Sequence, residues 1–361
     1  MRVIFYPPHS NSNDYVKLAT EALESNDCEI INKRWEGDLN LILKSILSVL
    51  KNKKVIFHFN WLEENAAHKG AASFVKSRLI LLFLYLFHIL GGKVVWTMHN
   101  AKSHNGINAR QDEFIRSFLK WTSLVIVHCT ESAEILTKDY HFPENKILFV
   151  PHGNYCKSIN NYVQDNNHKD SKVHFLYFGA ISKYKGVPYL IKAFDCEYLH
   201  NNAELLICGK VNNDELKKRI EDSVKGIDNI KLKLHFLSDE ELGSALAGCD
   251  ATVLPYEKDS MQNSGSAIMS ISAGKATVIP IFGYIKDIAD KDFIISYDYK
   301  NKKEQVENLR NAMIEFCEKN KKDPDYAHRV GEEAKRFAVD ELDWDNIMAK
   351  VAKRYNDCFR V

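Results

Sequence analysis

Two stretches of this chain have the residue types and spacing to hold a diphosphate. The first is Tyr177–Gly186, YFGAISKYKG, which follows an apolar run that reads as a strand and precedes one that reads as a helix. Gly179 lets the backbone come close to a ligand. A helix beginning near Val187 turns its N–H groups and positive dipole end toward an anion, and Lys183 and Lys185 add charge beside it. The second stretch is Leu254–Pro280. There a strand ends at Pro255-Tyr256, and a polar loop carrying Asn263, Ser264, Gly265 and Ser266 runs directly into an apolar helix. Small polar residues at a helix start are ordinary caps; with a glycine among them they also build an anion-binding nest. Either loop alone reads equally well as a solvated turn. Two of them, each after a strand in the same half of the chain, point to one phosphate site.

The elements that must position these loops alternate in type along the whole chain. In the first half the strand candidates are Arg2–Tyr6, Lys54–Phe59, Lys93–Met98, Leu124–His128 and Lys146–Val150. Helical spacing covers Asp14–Ser25, Ser77–Leu90, Asp112–Trp121 and Ser132–Tyr140. The polar segment Tyr155–Ser171 reads as a linker. The alternation then restarts at Val173–Phe178 and closes in a charged helical tail from roughly residue 303. Strands alternating with helices imply parallel sheets covered on both faces. The expectation is an α/β chain of two Rossmann-like domains, 1–160 and 161–340, facing a central cleft, with 341–361 a helix crossing back to the first. Ligands of such sheets bind outside the carboxyl ends of the strands.

Together these residues resemble the GT-B glycosyltransferases, and within them the family 4-like group 1 transferases. Gly179 to Lys185-Gly186 matches the spacing of that group's Gly-x-x-x-x-x-Lys-Gly loop. In the first half, His58-Phe59-Asn60-Trp61-Leu62-Glu63 is similar to a His-Trp-Pro-Glu pattern. Thr97-Met98-His99-Asn100 with His104 is similar to a Thr-Val-His-Asn segment, and Val150-Pro151-His152-Gly153 to a Pro-His-Gly segment at the interdomain seam. The departures are Ala180, where many members carry Arg, and Met261 and Met269, where retaining members carry two Glu. The Asn263–Ser266 loop resembles a subgroup that grips the phosphates with amides and hydroxyls instead.

The resemblance, with a basic and apolar first domain, implies a hexosyltransferase that moves a sugar from a nucleoside diphosphate sugar to a lipid-linked saccharide acceptor in polysaccharide or glycolipid assembly. Lys183, Lys185 and the Asn263–Ser266 loop would stabilise the leaving diphosphate, with His152 near the donor. The acceptor hydroxyl needs a base on the first domain. Glu63 is the candidate, with His99 and His104 positioning sugar or acceptor. Glu64 is a neighbouring alternative, and Asp14 reads as a helix cap. Loss of both family Glu favours an inverting displacement. A GT-B nucleotide-sugar epimerase and a non-catalytic nucleotide-sugar-binding subunit are the competing readings.

Composition narrows the partners. Lys+Arg is 49 against 48 Asp+Glu, so no basic excess points to nucleic acid. Residues 1–160 hold 19 Lys/Arg against 15 Asp/Glu, a mild bias that fits an anionic surface. Eight cysteines include no CxxC pair, which excludes a zinc ribbon and suits a reducing, cytoplasmic compartment. The start MRVIFYPPHS lacks the apolar h-region of a signal peptide. Asp290/Asp292, Asp323/Asp325 and Asp343/Asp345 have Asp-x-Asp spacing but fall in charged C-terminal segments. No cofactor or metal is expected, since lysines and helix ends take the metal's place. Ser77–Leu90 is apolar all round, which fits a buried helix or one whose outer face meets membrane lipid at its inner surface.

Overall fold

Parallel strands buried on both faces read as continuous apolar runs, and inner strands of this chain such as Val55–Asn60 and Val173–Phe178 do so. The computed structural model describes residues 1–8, 14–34, 37–51, 53–62, 71–100, 109–159, 172–258 and 261–360. By internal contacts the chain divides into two units. One comprises Met1–Gly153, Ser260–Asn263 and Leu342–Val361; the other comprises Asn154–Asp259 and Ser264–Glu341.

In the first unit the order is β1 (Arg2–Tyr6), α1 (Asp14–Ser25), β2 (Glu29–Ile30), α2 (Asp38–Leu50), β3 (Val55–Asn60), α3 (Ala71–Ile89), β4 (Lys93–Met98), α4 (Ala109–Leu119), β5 (Thr122–Val127), α5 (Thr130–Lys138) and β6 (Ile147–Phe149). The sheet runs β2-β1-β3-β4-β5-β6, every pair parallel. The strand order reverses between β1 and β3, so their carboxyl ends, Tyr6 and Asn60, flank the switch point where such sheets bind ligands. Phe57, Phe83, Phe87, Trp96 and Phe118 form part of the core. α1 buries Tyr15, Val16, Leu18, Ala19, Ala22 and Leu23, the one-sided stripe that helical spacing requires.

The second unit continues with α6 (Cys156–Ile159), β7 (Val173–Phe178), α7 (Val187–Phe194), α8 (Glu197–Asn202), β8 (Ala203–Cys208), α9 (Asp214–Ser223), β9 (Ile230–Lys233), α10 (Asp239–Ala247), β10 (Ala251–Val253), α11 (Gly265–Ser272), β11 (Ala276–Pro280), α12 (Gly283–Asp287), β12 (Ile294–Tyr297), α13 (Lys302–Lys322) and α14 (Tyr326–Glu341). α15 (Trp344–Asp357) is part of the first unit. The second sheet runs β12-β11-β10-β7-β8-β9, again parallel. Its switch point lies between β7 and β10. α10 opens on a capping box in which Ser238 and Glu241 satisfy each other's backbone N–H.

Several elements depart from the sequence pattern. Residues 26–53 carried no expected element yet hold β2 and α2. β2 has two residues and shows no period, whereas α2 has the spacing of a one-sided apolar helix that the sequence reading passed over. The linker expected over Tyr155–Ser171 begins with packed structure. Tyr155, Cys156 and Ile159 are buried, and the Tyr155 N–H donates to Ser272 Oγ at 2.9 Å. Cys129, Cys208 and Cys249 are buried, as apolar neighbours suggested.

Candidate active site

The donor-side site grows from the switch point of the second sheet. β7 ends at Phe178, and Gly179 follows with φ +117. A Cβ there would stand 3.2 Å from Ser266 Oγ, so the two loops singled out from sequence meet at this point. The chain then makes a short turn, Lys183–Lys185, ending at Gly186 with φ +72. A Cβ on Gly186 would overlap the Pro255 carbonyl oxygen at 1.9 Å. The Glu257 N–H donates to the Tyr184 carbonyl at 2.9 Å, so the lysine turn is held against the residues that follow β10.

The Lys185 ammonium lies 4.1 Å from the centre of the Tyr256 ring, a cation–π contact that holds it inside the site. Ser264 Oγ donates to Tyr256 Oη at 3.4 Å and accepts the Ala267 N–H at 3.2 Å, which makes Ser264 the N-cap of α11. The first-turn amides of Gly265 and Ser266 have no partner inside the helix by construction and carry its positive end. Lys183 is exposed on the same turn. Ser182 Oγ is shut from solvent with no hydrogen-bond partner among the described residues. The second unit thus brings Gly179, Lys185, Ser264, Gly265 and Ser266 together, with Lys183 exposed on the same turn. Asn263 falls with the first unit's short 260–263 excursion. Met269 packs against a hydrophobic core, and Met261 is buried.

Sequence reasoning missed two supports. Tyr256 is the platform under Lys185, and buried Gln305 of α13 donates to the Pro255 and Tyr256 carbonyls at 3.0 and 3.3 Å. Tyr256 was legible as the end of a strand but not as a platform. Gln305 has no local signal at all, because its contact arises only when α13 packs back.

The first unit gathers four buried histidines. His99 follows β4 and stacks on Trp61, ring centres 4.3 Å apart and planes 12° apart. Its Nε2 lies 3.1 Å from Asn60 Oδ1. Asn60 Nδ2 donates to the Tyr6 carbonyl, so Oδ1 accepts from His99 Nε2–H and the His99 lone pair sits on Nδ1. His152 Nδ1 donates to the Gly153 carbonyl at 2.7 Å. His128 Nδ1 donates to the Val150 carbonyl at 2.9 Å, leaving Nε2 to accept from Tyr15 Oη at 3.2 Å. His58 bridges Tyr355 Oη and Thr97 Oγ1 at 2.5 and 2.6 Å. The Tyr15 ring touches His99, His128, His152, Trp61 and Trp344. The structure thus brings His99 and His152 around Tyr15. Sequence reasoning did not assign Tyr15, His128 or Trp344 a place there.

Burial governs the charge of these rings. Desolvation lowers His58 and His152 to about 3 and His128 to about 4, and it holds His99 well below its ordinary value. Neighbouring histidines push His58, His99 and His152 the same way. At neutral pH all four are uncharged donors and acceptors, suited to orienting hydroxyls and too weakly basic to lead a proton transfer. Glu63, Glu64 and His104 lie outside the described residues. Asp14 is the first residue of α1.

The Asp-x-Asp triplets serve local structure. Asp343 caps α15 by accepting the Asn346 N–H at 2.8 Å, Asp323 pairs with Arg329, and Asp290 with Lys291. Among the described residues no group of three His, Cys, Asp or Glu could hold a metal ion.

Residues 158–337 match the family model described as Glycosyl transferases group 1. No curated protein matches the chain. Among solved structures, Anabaena HepE in complex with UDP superposes with a TM-score of 0.71 at 14% identity, covering 99% of this chain and 100% of that one. Sucrose-phosphate synthase from Thermosynechococcus elongatus does so at 0.69 and 14%, over 99% and 98%. WaaG, a glycosyltransferase involved in lipopolysaccharide biosynthesis, gives 0.57 and 16%, over 98% and 99%. At such identities the likeness establishes the fold alone, two parallel six-stranded sheets with flanking helices. With the loop geometry and the family match, residues 158–337 form a glycosyl transferases group 1 domain, and the chain, on a GT-B fold, is a glycosyltransferase.

Proposed function

We propose that this glycosyltransferase moves a hexose from a nucleoside diphosphate sugar to a lipid-linked saccharide acceptor, in polysaccharide or glycolipid assembly at the cytoplasmic face of a membrane. The observation that carries the donor half is the meeting of Gly179 with Ser266 beside Lys185 on Tyr256. Amides, hydroxyls and an ammonium then face the place where negative charge grows as the diphosphate leaves. The leaving group needs no metal in this reading, so transfer persists in EDTA. The nucleobase would meet Gly209, Lys210 and Phe236, which is 79% exposed just beyond β9.

The acceptor half is supported by the basic, apolar character of the first unit and by a fold shared with WaaG. Met261 and Met269 leave the family's carboxylate positions empty of charge. The base is then Glu63, the displacement inverts, and the neutral His99 with His104 orients donor sugar or acceptor. A thermal-shift screen of GDP, UDP, ADP and CMP tests the donor half. Ligand at 100 times its dissociation constant stabilises by about 2.7 kcal/mol, so one nucleoside diphosphate should raise Tm clearly. No shift with any of them, on a folded chain, would refute the donor site.

A further inference from the structure

The structure assigns the α2–α3 face of the first unit to docking on an anionic phospholipid bilayer. α3 carries two apolar faces. One is built into the core through Phe83, Leu84 and Phe87. The other is a stripe of Val75, Leu79, Leu82, Leu86 and Ile89, in which Leu79 and Ile89 are each 60% exposed. The steps of three and four residues place all five on one side of the helix. α2 packs beside α3 and presents Leu43, Leu47 and Leu50 at the same helical spacing, all about half exposed. Outside these helices and the adjoining Leu90, only Phe149, Phe236 and Val339 are exposed among the large apolar side chains of the described residues. A patch of this kind is uncommon on a protein that meets only water.

Charge selects the occupant. From Leu39 to Asn100 the sequence has eight Lys/Arg and two acidic residues, Glu63 and Glu64. Lys44, Lys51, Lys53, Lys76 and Arg78 are exposed on or beside the two helices, and Arg78 pairs with Glu113. A second copy docking through the same face would set these basic residues against their own kind. An anionic lipid surface meets them with opposite charge, each Lys or Arg near it adding to the attraction. Two helices side by side also make a surface broader than a single helix seam, as a flat bilayer requires. Among the described residues no helix is long and apolar enough to cross a membrane, so the contact lies in the interface. The inference deepens the reading of a lipid-linked acceptor and rests on it for its purpose; the face itself rests on exposure and charge.

The test is co-sedimentation of the full chain with phosphatidylcholine vesicles, with and without phosphatidylglycerol. The expected result is binding that needs the anionic lipid, weakens with salt, and falls roughly tenfold or more in a Leu47→Ser/Leu79→Ser/Leu86→Ser variant. A Lys51→Glu/Lys53→Glu variant should lose the preference for phosphatidylglycerol. Both variants change exposed side chains and should keep the nucleotide-induced thermal shift of the wild type. Absence of vesicle binding, or binding unchanged in the leucine variant, overturns the proposal. So does a dimer in solution that the leucine variant dissolves. If the enzyme glycosylates a free saccharide at full rate while vesicle binding behaves as expected, the docking face stands and the lipid-linked acceptor falls.

Discussion

In the proposed reading, Lys185 is the residue on which the donor chemistry turns. Its ammonium is held over Tyr256 rather than left to roam in solvent, and the loop that carries it is fastened at Gly186 and Tyr184. Lys185→Ala should leave Tm nearly unchanged and lower turnover by roughly 10²–10³, the effect of removing one charge-stabilising donor. Steady-state rates on the donor the thermal screen selects check this; wild-type turnover would remove Lys185 from the mechanism. On the acceptor side, His58, His99, His128 and His152 stay neutral, and the proposed reading gives base duty to a carboxylate. Glu63→Gln should lose about 10²–10⁴ in turnover while nucleotide affinity is kept. NMR of the product should show the anomeric configuration inverted, and a retained configuration would refute the base assignment. Lys185 was legible because a glycine and two lysines at loop spacing imply phosphate wherever they follow a strand. Its partner Tyr256 was not, because a ring beneath an ammonium is a contact across 71 positions of sequence.

Among the elements, the loop after β7 and the start of α11 do the positioning, and close backbone packing is what aligns them. Gly186→Ala would drive a Cβ into the Pro255 carbonyl at 1.9 Å in a backbone conformation that already disfavours side chains. Gly226→Ala has a similar φ, +81, but no atom within 4 Å of the new Cβ. The left-handed conformation alone costs about 1–2 kcal/mol, and overpacking adds about 1–3 kcal/mol. Gly186→Ala should therefore lower Tm distinctly more than Gly226→Ala and also weaken nucleotide binding, which Gly226→Ala should leave intact. Equal losses in calorimetry would mean that the Pro255 contact is slack. Most strands and long helices were readable from period alone. β2 and α8 were not, because two and six residues are too few to show one.

Taken whole, the molecule ties its first unit together through buried imidazoles, and acid should undo that. In the fold His58, His99, His128 and His152 are all depressed from an ordinary value of 6.5. The unfolded chain takes up protons below about pH 6.5 that the folded chain refuses, so stability is full above that pH and falls as pH drops toward the folded values of about 3 to 4. Each histidine contributes up to about 1.4 kcal/mol per pH unit in that window. Tm should be flat from pH 8 to about 7 and decline from about pH 6.5 to 5, before most carboxylates titrate; a Tm constant through that range would contradict the neutral cluster. Local spacing was enough to read the alternation of strands and helices, its restart at Val173, and the glycine-bearing loops after β7 and β10. These depend on local spacing and on backbone preferences that act within a few residues. Only the tertiary structure decided that Gly179 meets Ser266, that Tyr15 of α1 and Trp344 of α15 close around the same histidines, and that one apolar face of α3 stays outside the core. Those outcomes follow from strand order and helix packing, which bring together residues from distant parts of the chain and choose which side of an all-apolar helix is covered.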